Sequence, residues 1–177
     1  PRSTLFPYTT LFRSGHLQSL RYLNILCVRL VFCLYAEDAG IFGKRDMFHD
    51  FLAHYQTEDM RMALVQLFEV LNTPADKRSK YLNPSLAAFP YTNGGLFAEQ
   101  IDIPQFTDEL RETLLQHASL DFDWSEISPT IFGGVFESTL NPETRRSGGM
   151  HYTSIENIHK VIDPLFYNDL RKASEDC

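Results

Sequence analysis

Cysteine, tryptophan and basic charge are all scarce in this 177-residue chain. Three cysteines, Cys27, Cys33 and Cys177, are too few for a disulfide scaffold. Cys27 and Cys33 lie six apart on a helical pattern, about 240° around the axis, so they cannot pair. No Cys-x-x-Cys occurs, and the six histidines show no ligand spacing, so no metal site is expected. Lysine and arginine total 16 against 23 aspartate and glutamate, net −7. So acidic a chain does not clamp a phosphate backbone over its whole surface. Its most apolar run, Leu23–Ala36, carries Asn24 and Arg29 and falls short of the roughly 20 residues of a membrane helix. It reads as a buried core helix. No charged start, apolar core and small-residue cleavage site of a secretory leader is recognised, and a reducing cytoplasm is the expected compartment.

The familiar catalytic signatures are missing too. None of the five lysines, Lys44, Lys77, Lys80, Lys160 and Lys172, follows an acid by two positions, so the Asp/Glu-x-Lys nuclease core is absent. There is no Gly-x-Ser-x-Gly, His-Glu-x-x-His, Walker loop or Gly-x-Gly-x-x-Gly. No residue is expected to be catalytic.

What remains is ordinary globular material, 44% hydrophobic and 22% charged, enough for one domain or one domain with part of a second. The start stands apart. Arg2–Ser14 repeats Thr-Leu-Phe, and Thr4–Ser14 looks like the in-frame translation of a sequencing-library adapter. Residues 1–14 are therefore read as a non-native scar. Removing its two arginines from the 16 basic residues leaves 14 against 23, net −9. On that reading the natural N-terminus is missing and the chain is a gene fragment.

Leu17–Glu37 reads as one long helix, apolar at Leu20, Leu23, Leu26 or Cys27, Leu30 or Val31, and Leu34, and ended by Ala39-Gly40 and Gly43. A second helix is predicted from Asp46 to about Tyr55. Thr57 should cap a third, with Glu58 and Asp59 in its first turn and a stripe through Met60, Leu64, Leu67, Phe68 and Leu71. These three should pack as a bundle. Thr73–Pro104 is a loop-rich insert, punctuated by Pro74, Pro84, Pro90 and Pro104. Within it, Phe89–Phe97 predicts a tight turn docked by its aromatics, with Asn93 or Gly94 at positive φ. Helix returns after Thr107 and after Ser128-Pro129. Gly133-Gly134 on the latter implies the close approach of another backbone. Thr153–Glu156 forms a capping box behind the loop Arg145–Met150, where free N–H groups and two cations suit an anion.

Tyr152-Thr153-Ser154 before an Ile-rich helix resembles the Tyr-Thr-Pro/Ser motif that opens gamma-class adenine DNA methyltransferases. The segments Arg29–Phe42, Phe89–Phe97 and Trp124–Phe132 precede it in order. The set resembles the helical spacer and methyltransferase start of MmeI-like restriction–modification enzymes, single chains joining endonuclease, spacer, methyltransferase and target-recognition domains. The resemblance runs from about Leu17 to Cys177. It implies a mainly α fold: a helical spacer bundle with a loop-rich insert, leading into the first helix of a truncated Rossmann-like methyltransferase domain. The implied division is 1–14 scar, 15–125 spacer and 126–177 methyltransferase start.

By the same resemblance His151, Tyr152, Thr153 and Ser154 contact S-adenosylmethionine. The parent would methylate adenine in double-stranded DNA, gripping it through parts absent here, with no membrane partner. The family's glycine-rich cofactor loop and Asn-Pro-Pro-aromatic motif are absent, so this piece alone should be inactive. Two alternatives stay open: a purely structural helical interaction domain, and a piece of a nuclease-free phage-defence DNA methyltransferase.

Overall fold

The longest helix, α1, runs over Tyr8–Asp38 and organises the rest. In this computed structural model residues 8–92, 95–133 and 171–172 are described, with side chains from residue 17 onward. The helix begins nine residues before the expected Leu17, because nothing between Pro7 and Leu17 breaks it. From Leu23 to Glu37 almost every residue is buried, including Leu26, Leu30, Cys33 and Leu34. A helix apolar around its circumference must be surrounded rather than laid on a surface. Leu17–Asp38 is in fact long and apolar enough to cross a membrane by length and composition, unlike the shorter run expected. Yet 61% of its most apolar window is buried inside the protein.

The end of α1 follows from glycine. Gly40 takes φ 73°, its N–H donates to the Glu37 carbonyl (3.1 Å) and the Ile41 N–H donates to the Ala36 carbonyl (2.8 Å). This pair of bonds is a Schellman termination, available because glycine carries no Cβ penalty in the left-handed region.

Next come α2 (Met47–Ala53) and α3 (Met60–Asn72), the latter preceded by a 3₁₀ turn over Thr57–Asp59. Helix α2 is shorter than the stretch to Tyr55 expected from pattern. Helix α3 is amphipathic as read: Met60, Leu64, Leu67, Phe68 and Leu71 are buried, while Met62 and Val65 are exposed. Thr57 does not cap it. Its hydroxyl donates instead to the Asp108 carboxylate, tying this turn to a helix about 50 positions away. Both helices share one hydrophobic core with α1.

Past α3 regular structure thins to a 3₁₀ turn at Ala75–Lys77 and the short α4 (Pro84–Ala87), capped by the Asn83 side chain. The aromatic segment is docked as expected. Phe89 and Phe97 are buried, Phe89 edge-on to Phe42 and Phe51, Phe97 against Phe32 and Phe68. Asn93 and Gly94 lie outside the described residues; Gly95 carries a positive φ of 46°.

Thr107 caps α5 (Asp108–Glu112), accepting from the Leu110 N–H at 3.2 Å. The same rod continues as a π-helical segment, Thr113–Leu120, which pattern alone did not suggest. After a turn at Trp124–Glu126, residues 129–133 are helical with Pro129 at the first position. Phe132 stacks on Tyr35 of α1, ring centres 4.0 Å apart. Among the described residues the close approach expected at Gly133 is not found. A Cβ there would meet nothing within 4 Å, so its missing side chain makes room for no described neighbour. Gly134 lies outside the described residues. No strand occurs among the described residues.

Candidate functional site

His151, Tyr152, Thr153 and Ser154 lie outside the described residues, so the structure neither places them nor brings them together. The described residues instead show how a nearly all-apolar helix becomes the polar hub of the domain. Two charged side chains on α1, Arg29 and Glu37, are each 2% exposed.

Arg29 faces the aromatic segment. Its Nε donates to the Leu96 carbonyl (2.8 Å) and its Nη2 to the Glu99 carbonyl (2.6 Å). The guanidinium carbon lies 5.2 Å from the Phe68 ring centre and 5.5 Å from that of Phe97. Burial pushes its pKa down to about 10, opposed by the field of Glu99, so at neutral pH the cation persists. A guanidinium tolerates such a place because its planar fork fits carbonyls at its edge and rings at its faces.

Glu37 caps a helix other than its own. At the end of α1 a carboxylate meets the wrong end of the helix dipole. Its Oε2, however, accepts the N–H groups of Phe48 (2.9 Å) and His49 (3.1 Å) in the first turn of α2, and Oε1 accepts the Ser119 hydroxyl (3.2 Å). Asp46, the residue in the N-cap position, sits at φ 56° and makes no side-chain cap bond. Glu37 therefore supplies what Asp46 does not. Burial raises its pKa, and the bonds from His49, Phe48 and Ser119 pull it back. Next to it, Asp38 accepts the Trp124 N–H at 2.8 Å, while the Trp124 indole donates to the Ala118 carbonyl at 2.6 Å. One pair of adjacent acids thus joins α1 to α2, the π-helical segment and the Trp124 turn.

A cleft of about 540 Å³ opens beside this joint, with Arg45 among Asp38, Asp46, Asp121 and Asp123. A second, more apolar cleft of about 320 Å³ lies over Phe42, Met47 and Phe51. Among the described residues no group of three or more His, Cys, Asp or Glu side chains could hold a metal ion. Cys33 is fully buried with its pKa raised, mainly by desolvation, so it is a packing residue and no nucleophile. The chemistry of the described part is that of a scaffold. The signal that could have revealed its hub was in plain view: two charges embedded in an apolar helix must each find a partner.

The described residues thus form a helical scaffold stapled through polar groups on its central helix. Residues 21–97 match the family described as MmeI, helicase spacer domain. The chain is 38% identical over 162 residues to DNA methyltransferase A of Bacillus subtilis (strain 168), which covers 91% of this chain and 18% of that protein. It also resembles the solved structure of the Type IIL restriction-modification enzyme MmeI in complex with DNA, with a TM-score of 0.57 and 42% identity. That match covers 84% of this chain and 20% of MmeI. Residues 21–97 thus belong to the MmeI spacer-domain family, and the chain, similar over most of its length to MmeI-like restriction–modification DNA methyltransferases, spans about a fifth of these relatives' length.

Proposed function

We propose that this chain is the spacer and methyltransferase-start segment of an S-adenosylmethionine-dependent, adenine-specific DNA methyltransferase of a restriction–modification system. The observation that carries this reading is the reach of the similarity. The spacer family accounts for residues 21–97, whereas the likeness to both relatives extends over most of the chain. On this reading residues 15–125 are the spacer and 126–177 begin a Rossmann-like domain, with residues 1–14 foreign to both.

The proposed cofactor contacts are His151, Tyr152, Thr153 and Ser154. S-adenosylmethionine, when bound, would supply the methyl group. Thr153 would cap the helix that follows, leaving backbone donors free for a carboxylate, and Tyr152 would offer an aromatic wall. The segment alone is proposed to be inactive, because the residues that hold a flipped-out adenine must come from elsewhere in the parent. A cytoplasmic site of action fits an enzyme that modifies cellular DNA.

Calorimetry on the full-length parent tests the assignment. Tyr152→Ala and Thr153→Ala should both raise the dissociation constant for S-adenosylmethionine and leave the recognised DNA sequence unchanged. Unaltered cofactor affinity in both folded variants would show that Tyr152–Ser154 is only a helix cap.

A further inference from the structure

The loop between α3 and α4 carries the cations that the fold leaves unused. Among side chains of residues 17–133, nearly every cation is engaged. Lys44 pairs with Asp50, Arg45 with Asp46, Arg21 with Glu99 and Arg61 with Asp102. Arg29, Arg78 and Arg111 are spent on backbone carbonyls. Lys77 and Lys80 are exposed and engage no acid or carbonyl. Beside them Tyr81 is 97% exposed, the extreme among the large apolar side chains described.

This exposure is not the slackness of a loose loop. Arg78, between the two lysines, turns inward and donates to the carbonyls of Val70, Thr73, Ala87 and Phe89 at 2.7–3.3 Å. The Tyr81 N–H donates to the Ser79 hydroxyl (3.2 Å) and the Leu82 N–H to the Ser79 carbonyl (3.2 Å). A pinned loop thus presents two free ammonium groups and one phenol. Asp76 is the acid nearest in sequence and offsets only one of the two charges.

We propose that Lys77, Lys80 and Tyr81 make a sequence-independent contact to the sugar–phosphate backbone of duplex DNA. Ammonium groups neutralise phosphates and release counterions, and a tyrosine hydroxyl donates to a phosphate oxygen. Confinement to one loop reconciles this contact with a net acidic chain. The inference rests on reading the parent as a DNA-acting enzyme, but not on any cofactor contact.

Anisotropy of a short labelled duplex, titrated with this chain over a series of salt concentrations, tests it. The double variant Lys77→Gln/Lys80→Gln should flatten the slope of log K against log salt by about 1.8, at roughly 0.9 per phosphate lost. Tyr81→Ala should weaken binding by about fivefold with the slope unchanged. Lys44→Gln, which alters a cation already paired, should change neither, and thermal melts confirm that all variants fold. The proposal is overturned by absence of duplex binding at low salt, by an unchanged slope in the double variant, or by an equal effect of Lys44→Gln. Tyr81-dependent preference for single strands, or binding only to phosphatidylserine vesicles, would also overturn it. Unaltered cofactor affinity in the Tyr152 and Thr153 variants of the parent would leave it standing, so the two readings fail separately.

Discussion

Helix α3 and the loop-rich stretch after it sit against the same core yet are stabilised by different means. In α3 the backbone satisfies itself up to its last turn, and a stripe of Leu and Phe supplies the burial that holds it down. Between Thr73 and Thr107 there is little regular structure to absorb the carbonyls, and arginine does so instead. Arg78 takes those of Thr73, Ala87 and Phe89 as well as that of Val70 at the end of α3, Arg29 takes those of Leu96 and Glu99, and Arg61 takes that of Ile103. The lesson concerns arginine count. In a chain with few cations, most of those in the described part serve the fold, because a loop packed on a core must find donors for its oxygens.

Substitutions can break this comparison, the largest effect expected where apolar volume is lost. Leu64→Ala in α3 removes a fully buried side chain and should cost about 3 kcal/mol in chemical denaturation. Less than 1 kcal/mol would mean that α3 is not held by its apolar stripe. Arg78→Met should cost about 2 kcal/mol, since several half-buried carbonyls lose their donor. Proteolysis should then cut first within Thr73–Phe89 while α1 stays protected. Uniform cleavage along the chain would erase the proposed difference between the two regions.

A smaller effect is expected from Glu37→Gln, and it is one of pH. Burial holds the folded-state pKa of Glu37 above the ordinary carboxylate value. Its contribution is therefore fully present below that ordinary value and declines as pH rises through the folded pKa. Stability of the parent chain relative to the variant should fall across that window and level off above it. A difference independent of pH would show that Glu37 does not titrate in the folded chain. The smallest effect belongs to Arg21→Ala. Its two-pronged pair with Glu99 is exposed, so about 0.5 kcal/mol is the most expected, vanishing in high salt. A loss as large as that of Arg78→Met would make surface pairing, rather than carbonyl capture, the device that fastens the insert.

Much of the fold was legible in residue pattern. Glycine at 40 and proline at 74 mark helix limits for local steric reasons, and the stripe of α3 repeats at the helical period. Phe89 and Phe97 announced docking because two large apolar rings flanking a turn gain most by burial, whereas Tyr91 between them stays exposed. Thr57 misled, since a hydroxyl that can cap its own helix can equally bond a distant carboxylate. The π-helical turn was invisible for a related reason: its backbone shares carbonyls such as that of Ala118 with a tryptophan from the next turn.

The proposed cofactor residues rest on motif and order alone, whereas the Lys77–Tyr81 surface could be seen only once partners had been assigned to the other cations of residues 17–133. By itself the sequence determined helix content, the central place of Leu23–Ala36, the absence of disulfide and zinc patterns, and the family likeness. Each follows from local spacing or composition. Tertiary structure alone decided that Glu37 would cap α2, that Arg29 would be clasped between Phe68 and Phe97, and that two lysines would be left over. Those outcomes depend on which distant donors and acceptors meet once apolar burial has brought the helices together.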